Sequence, residues 1–362
     1  MRFFFIVQGE GRGHMTQSMA LAHMLRANGH ELTRVVVGKS IRRTIPSFYL
    51  EGINCRIDQV DSPNFVTDKD SKSVKVWKSI WYGMSRLNTY RKSLKQLDEM
   101  VKEDNPDVII NFYDFIGGLY NRFKNPRGKF VCVAHQYLAK HSVFEFPKGR
   151  LLDKRSMKMS NWLTSLGADA RLALSFHQDP DEGNITVVPP LLRNEVKSAE
   201  VSKGDFILVY MLNHGYAEEV NLFHEANPDI KLHCFWDKPD APPELKVDGN
   251  LTYHLLDGPK FLHFMSECKG YLTTAGFESV CEAMYLGKPV MMMPVHGHYE
   301  QACNALDAVK AGAGIASNKF DLQCLVDYLP NHIDNGDVFR NWCNNSEQML
   351  LDKLESVGNS LD

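Results

Sequence analysis

The sequence predicts an α/β protein of two doubly wound, Rossmann-like domains, and three observations carry that prediction. Short, continuously apolar runs such as Phe3-Phe4-Phe5-Ile6-Val7 alternate with helical patterns, as strands buried on both faces of a parallel sheet do. The pattern restarts at Asp205-Phe206-Ile207-Leu208-Val209-Tyr210 with a second first-strand signature. The chain has 362 residues, 44% of them apolar, which is more than one hydrophobic core usually serves.

In order, the first half reads as a strand at Phe3 to Val7, a helix from about Gly13 to Ala27, and a strand at Thr33 to Val37. A long helical pattern runs from Val74 to Val101, and further strands are expected at Val108 to Asn111, Phe130 to Ala134, Leu172 to Ser175 and Ile185 to Val188. The second half adds strands at Lys231 to Trp236, Leu251 to His254, Gly270 to Thr273 and Pro289 to Met293. The polar stretch Asn194 to Gly204 is the natural boundary, giving domains at 1–193 and 194–335. The tail, 336–362, is expected to be a helix packing back toward the N-terminal domain. Two such domains would face each other across a cleft and hold a ligand near the carboxyl ends of their strands.

Composition narrows the function. A net charge of −3 makes no electrostatic case for nucleic acid. The eight cysteines are dispersed, never form Cys-x-x-Cys, and read as small core residues in a reducing cytoplasm. No apolar segment approaches the roughly 18 residues of a membrane span. Residues 77–92 combine aromatics and bases that would suit the inner face of a membrane, although an ordinary amphipathic helix explains the same letters.

The loop Gln8-Gly9-Glu10-Gly11-Arg12-Gly13-His14 follows the first strand and opens the first helix, where free amides and the helix dipole favour anions. It is not a dinucleotide fingerprint: the third fingerprint position is His14, and the second strand ends Val37-Gly38-Lys39 with no acidic residue to hold a ribose. Gly11 and Gly13 are the loop positions of interest. His14, at the helix start, is the candidate base, since an ordinary imidazole titrates near neutrality. Asp114, after the strand ending at Asn111, is the carboxylate placed to assist it, or else the N-cap of the helix that begins near Phe115. His135 is a further candidate, as an acceptor contact.

In the second half, Asn213 and Gly215 end the restarted first strand in a small loop that suits a diphosphate. Thr274, Gly276 and Ser279 occupy a strand-to-helix turn, where hydroxyls and free amides hold phosphate oxygens without a metal. Glu282 follows three residues after Ser279 and suits the paired hydroxyls of a ribose. Glu300 and Gln301 open a later helix with chemistry suited to sugar hydroxyls. His296-x-His298 lacks a third ligand at any telling spacing, so no metal is expected.

Together these residues resemble the GT-B glycosyltransferases, particularly MurG-like and UDP-glycosyltransferase-type inverting enzymes. The resemblance rests on Gly276-x5-Glu282-x4-Gly287-x-Pro289-x4-Pro294, continuing to Gln301 and Asn304-Ala305, with Gly9-x-Gly11-x-Gly13-His14 in support. It implies diphosphate contacts from Thr274, Gly276 and Ser279, a ribose contact from Glu282, sugar contacts from Glu300 and Gln301, and His14 as the base. Arg193 falls where such enzymes often carry a basic residue near the diphosphate.

Two departures stand out. Thr274 replaces the His of plant-type relatives, and Glu300-Gln301 replaces their Asp-Gln. The implied activity is metal-independent, inverting transfer of a hexosyl-type sugar from a nucleoside-diphosphate sugar, most simply a UDP-sugar, to an acceptor hydroxyl. Cell-envelope glycan or glycolipid synthesis would be the setting. No cofactor is implied beyond the nucleotide sugar as co-substrate. A sugar-nucleotide epimerase of the same fold, or a non-catalytic nucleotide-sugar-binding protein, are the competing readings.

Overall fold

The computed structural model describes residues 1–40, 44–63, 86–211 and 214–360. Asn213 and residues 77–85 of the proposed membrane segment lie outside them. The chain forms two compact units, Met1–Arg193 with Asn344–Asp362, and Asn194–Cys343.

In the first unit, seven parallel strands take the order β3-β2-β1-β4-β5-β6-β7. They are β1 (Arg2–Val7), β2 (Glu31–Lys39), β3 (Ile57–Asp61), β4 (Val108–Phe112), β5 (Lys129–Val133), β6 (Ala170–Leu174) and β7 (Ile185–Val188). The apolar run Phe3 to Val7 is fully buried because β1 lies in the middle, between β2 and β4. The order reverses there: the chain runs from β1 outward to β3, then returns to β1's other side for β4, which makes this the switch point of a doubly wound sheet.

β3 went unrecognised in the sequence because Ile57-Asp-Gln-Val-Asp61 carries the mixed polarity of a sheet edge. Its Asp58 serves β2, where Arg34 is 2% exposed and bonds Asp104 (2.8 Å), Asp58 (3.1 Å) and Glu103 (2.7 Å). A charge that deep is tolerated because every arm of the guanidinium reaches a carboxylate. The described part of the long helical pattern is the helix Leu87–Asp104, which turns Tyr90, Ser93, Leu97 and Val101 inward.

The second unit repeats the architecture with the order β10-β11-β9-β8-β12-β13-β14. Its strands are β8 (Phe206–Met211), β9 (Lys231–Trp236), β10 (Glu244–Lys246), β11 (Leu251–Leu255), β12 (Gly270–Thr273), β13 (Val290–Met292) and β14 (Gly314–Ala316). All pairings are parallel except β10 with β11. The switch point falls between β8 and β12. Ile207, Val209, Cys234, Leu272 and Met291 belong to the core on one side of this sheet.

The tail differs from the expected single helix. The helix Gly336–Asn344 belongs almost wholly to the second unit, where Arg340 donates to the Tyr285 carbonyl oxygen (2.9 Å). The helix Ser346–Asn359 belongs to the first unit and packs on β4, β5 and β7, with His30 Nε2 and Glu355 3.0 Å apart. The break falls at Asn344 and Asn345, side chains that compete for backbone hydrogen bonds and disfavour helix interiors.

Among the described residues, no helix is long and apolar enough to cross a membrane.

Candidate active site

In the first unit, the switch point brings His14 and Tyr113 together. Gly11 is the N-cap of the helix Arg12–Ala27, so His14 lies in its first turn, directly beyond β1. Its ring is 8% exposed, stacked on Tyr113 at 5.6 Å between centroids, with Nδ1 3.2 Å from Gln17 Oε1. An amide oxygen only accepts, so in this orientation Nδ1 carries the proton and Nε2 keeps its lone pair. Burial lowers the pKa of His14 from 6.5 to about 4, and the Gln17 bond opposes part of that shift. The ring is a neutral base at physiological pH.

Tyr113 follows β4 and takes a left-handed conformation (φ 59°), uncommon for a residue with a side chain. Its hydroxyl donates to Asn161 Oδ1 (2.5 Å), and Asn161 in turn donates to the Gln136 carbonyl oxygen (2.6 Å). The stacking partner of His14 is thus held from behind. Neither Gln17 nor Tyr113 stood out in the sequence, although Gln17's spacing of three from His14 on one helix face was a readable signal.

Asp114 does not hydrogen-bond to His14; of the two readings, assistance to His14 or the N-cap, its bonds are those of the N-cap. It caps the helix Phe115–Lys124 by accepting from Ile116 N (2.8 Å), and accepts from Ser62 Oγ (2.6 Å). Burial raises its pKa from 3.8 to about 6 despite those bonds. Its other oxygen sits so close to Gly38 that a Cβ there would collide with it, and a Cβ on Gly9 would in turn collide with the Gly38 carbonyl oxygen. The two glycines bring the ends of β1, β2 and β4 close together.

Gly11 is different. A Cβ there would meet only His14 Cδ2 at 3.6 Å and Gln8 Oε1 at 3.9 Å, which is ordinary contact. Gly13 lies in the first turn of the helix, partly exposed. His135 opens a short 3-10 helix, with Nδ1 2.7 Å from the Leu174 carbonyl oxygen and its ring edge-on to Phe144 and Phe176. It is 3% exposed and packs as a core histidine.

In the second unit, the corresponding turn follows β12. Thr274 is buried, Ala275 takes φ 59°, and Gly276 is the N-cap of the helix Phe277–Tyr285. An alanine in the left-handed region needs support from its surroundings. Asn304, from the helix Tyr299–Lys310, supplies it by donating to the Ala275 carbonyl oxygen (3.2 Å). Asn304 Oδ1 and Thr273 Oγ1 are buried beside this turn.

Gly276 is exposed and has room: a Cβ would approach nothing nearer than Ser279 Oγ at 3.8 Å. Packing therefore does not explain a glycine at 276. Gly287, by contrast, takes φ 66° just after the same helix, where Gly287 N donates to the Met284 carbonyl oxygen and Lys288 N to that of Ala283. Its place in the motif is the left-handed residue that follows the helix C-cap, Leu286.

Glu282 is 5% exposed on the buried side of the helix Phe277–Tyr285, more enclosed than an open ribose contact would suggest. Ser279 lies partly exposed one turn before it. Gln301 accepts from Val295 N (2.8 Å) through its side-chain oxygen and so closes the loop after β13, while Glu300 beside it is exposed. Gly215 lies in the short 3-10 helix His214–Tyr216 beyond β8. Arg193 is the last residue of the first unit's main segment and half-buried.

Two doubly wound units, each with its singular residues at the switch point, define the GT-B class of glycosyltransferase fold. The chain belongs to the family described as glycosyl transferase family 1, whose profile it matches over residues 1–332. It is a glycosyltransferase. Solved structures with this fold include the glycotransferase of kitacinnamycin (16% identity, 98% of each chain covered, TM-score 0.69). Also similar are the spinosyn rhamnosyltransferase SpnG with thymidine diphosphate (13% identity, 98% of this chain and 100% of that one, TM-score 0.62) and Arabidopsis thaliana UGT89C1 with quercetin (13%, 99% of each, TM-score 0.64). No curated protein matches the sequence.

Proposed function

We propose that the protein transfers a sugar from a nucleoside-diphosphate sugar to an acceptor hydroxyl with inversion, independently of a metal, His14 acting as the base. The observation that carries this reading is His14 itself, buried, neutral and oriented through Nδ1, which leaves Nε2 to take a proton. The acceptor oxygen attacks the anomeric carbon as its proton passes to Nε2, and the bond from that carbon to the diphosphate breaks.

On the donor side, amides and hydroxyls of the turn Thr274 to Ser279 receive the negative charge that develops on the diphosphate. The room at Gly276 supports a phosphate approaching the backbone there. Arg193, Asn213 and Gly215 are assigned to the same diphosphate, Glu282 to the ribose, and Glu300 with Gln301 to the sugar. Thymidine diphosphate in SpnG and quercetin in UGT89C1 support the two kinds of substrate. For this chain we favour a UDP-sugar and a cytoplasmic site of action, with a cell-envelope glycan or glycolipid as product.

The test is turnover of a panel of UDP- and TDP-sugars, with and without acceptor, by the wild type, His14→Ala and Glu282→Ala. A thermal-shift screen of nucleoside diphosphates selects the donor base beforehand. Transfer that drops by about 100-fold or more in His14→Ala is expected from the loss of a general base. Unchanged rates in both variants would remove this site assignment, a requirement for added divalent metal would remove metal independence, and sugar isomerisation without acceptor would instead identify an epimerase.

A further inference from the structure

The helix Leu151–Thr164 is turned inside out. A helix on a globular protein ordinarily buries its apolar stripe and exposes its polar one. Here the buried residues are Ser160, Asn161 and Thr164. Asn161 bonds Tyr113 and Gln136, and Thr164 receives a bond from Tyr137 (3.1 Å) while its carbonyl oxygen accepts one from Asn111 (2.7 Å). The polar side is committed to the protein, and the apolar side faces out.

That outward side carries Leu151 (70% exposed), Leu152 (79%), Met159 (56%) and Trp162 (53%). Their spacing places them along one face, with Arg155 and Lys158 exposed between them. Lys154 and Lys158 sit over the Phe146 ring, at 4.0 and 5.4 Å from its centre. The helix Phe115–Lys124, packed beside this one, exposes Phe123 (68%) next to Arg122 and Lys124.

Charge selects the occupant. Residues 145–164 hold five bases and two acids, and one acid, Asp153, is paired with Arg150 at 2.8 Å, in a protein whose net charge is −3. We propose that this face docks on an anionic membrane surface, Leu151, Leu152, Met159 and Trp162 entering the interface while the neighbouring Lys and Arg side chains reach the head groups. Long basic side chains lie along apolar surface and keep their charges at the polar boundary, and tryptophan favours that boundary. The inference is independent of which sugar is transferred, and it uses a different segment from residues 77–92.

The test is co-sedimentation of the full chain with vesicles of phosphatidylcholine containing 0 or about 30% phosphatidylglycerol, a range that spans anionic attraction. The wild type is expected to pellet with the anionic vesicles at low salt and to be released by high salt. Replacing Leu151, Leu152, Met159 and Trp162 together by Ser is expected to weaken partitioning at least tenfold with no loss of thermal stability. Arg155→Gln with Lys158→Gln is expected to weaken it about 25-fold, at about fivefold for each charge lost near the surface.

Absence of pelleting with anionic vesicles, equal pelleting with neutral ones, or unchanged pelleting of the Ser variant would each overturn the proposal. So would a fall of many degrees in that variant's melting temperature, which would show the face to be packed within the chain. A dimer of the wild type that the same substitutions dissolve would make the face an interface between copies, and would overturn it as well.

Discussion

Replacing Gln17 by Glu puts a carboxylate where an amide oxygen now lies 3.2 Å from His14 Nδ1. A unit charge at that distance favours the imidazolium by about 5 kcal/mol at an effective dielectric of about 20, a ceiling of about 4 pKa units. Burial of the new carboxylate takes part of this back. Asp114, enclosed in the same unit, gauges how much: burial lifts its pKa from 3.8 to about 6, worth about 3 kcal/mol. A rise of about 1.5 units or more remains for His14.

The assay is the pH dependence of kcat/KM for sugar transfer, which reports the free enzyme's essential base. In the wild type the acid limb should fall at about 4, where burial holds His14. In Gln17→Glu it should move up to about 5.5 or beyond, and in Gln17→Ala it should move down, with kcat reduced about tenfold because the ring loses the bond that orients it through Nδ1. A wild-type limb near 6.5, or a limb that does not move in Gln17→Glu, would refute the reasoning. Stability carries the same sign. The folded pKa of His14 is depressed, so its contribution is full above 6.5 and is lost as pH falls toward about 4, by about 3 kcal/mol. Asp114 runs oppositely: its folded pKa is raised, so its contribution is full below 3.8 and is lost as pH rises through about 6.

Three further outcomes follow from the geometry. Gly276→Ala should change stability by less than about 1 kcal/mol, since its Cβ has room, yet weaken donor binding at least tenfold by crowding the phosphate; calorimetric titration with the nucleotide measures the second. Gly9→Ala should destabilise the first unit by about 2 to 3 kcal/mol, because its Cβ meets the rigid backbone oxygen of Gly38, and urea unfolding would show it. Arg34→Met, which strands Asp104, Asp58 and Glu103 around an uncharged side chain, should cost about 3 to 5 kcal/mol by the same measurement.

The sequence by itself determined the strands at the centre of each sheet, the restart after residue 204, and the small-residue motif at the turn after β12. Those signals are local: a strand buried on both faces must be apolar throughout, and a tight turn must use small residues. The edge strands β3, β10 and β14 were silent because an edge needs no apolar run, and β10 is exposed at every residue. Only the tertiary structure decided the roles around the turns. It placed Tyr113 on His14, gave Asp114 a second bond from Ser62, and brought Asn304 back to hold Ala275. Hydrogen bonds between segments far apart in the chain leave no period or spacing to read. For the same reason, nothing in the letters of Leu151–Thr164 told which face is turned outward: that choice was made by the distant tyrosines, asparagine and carbonyl oxygen that its polar side satisfies.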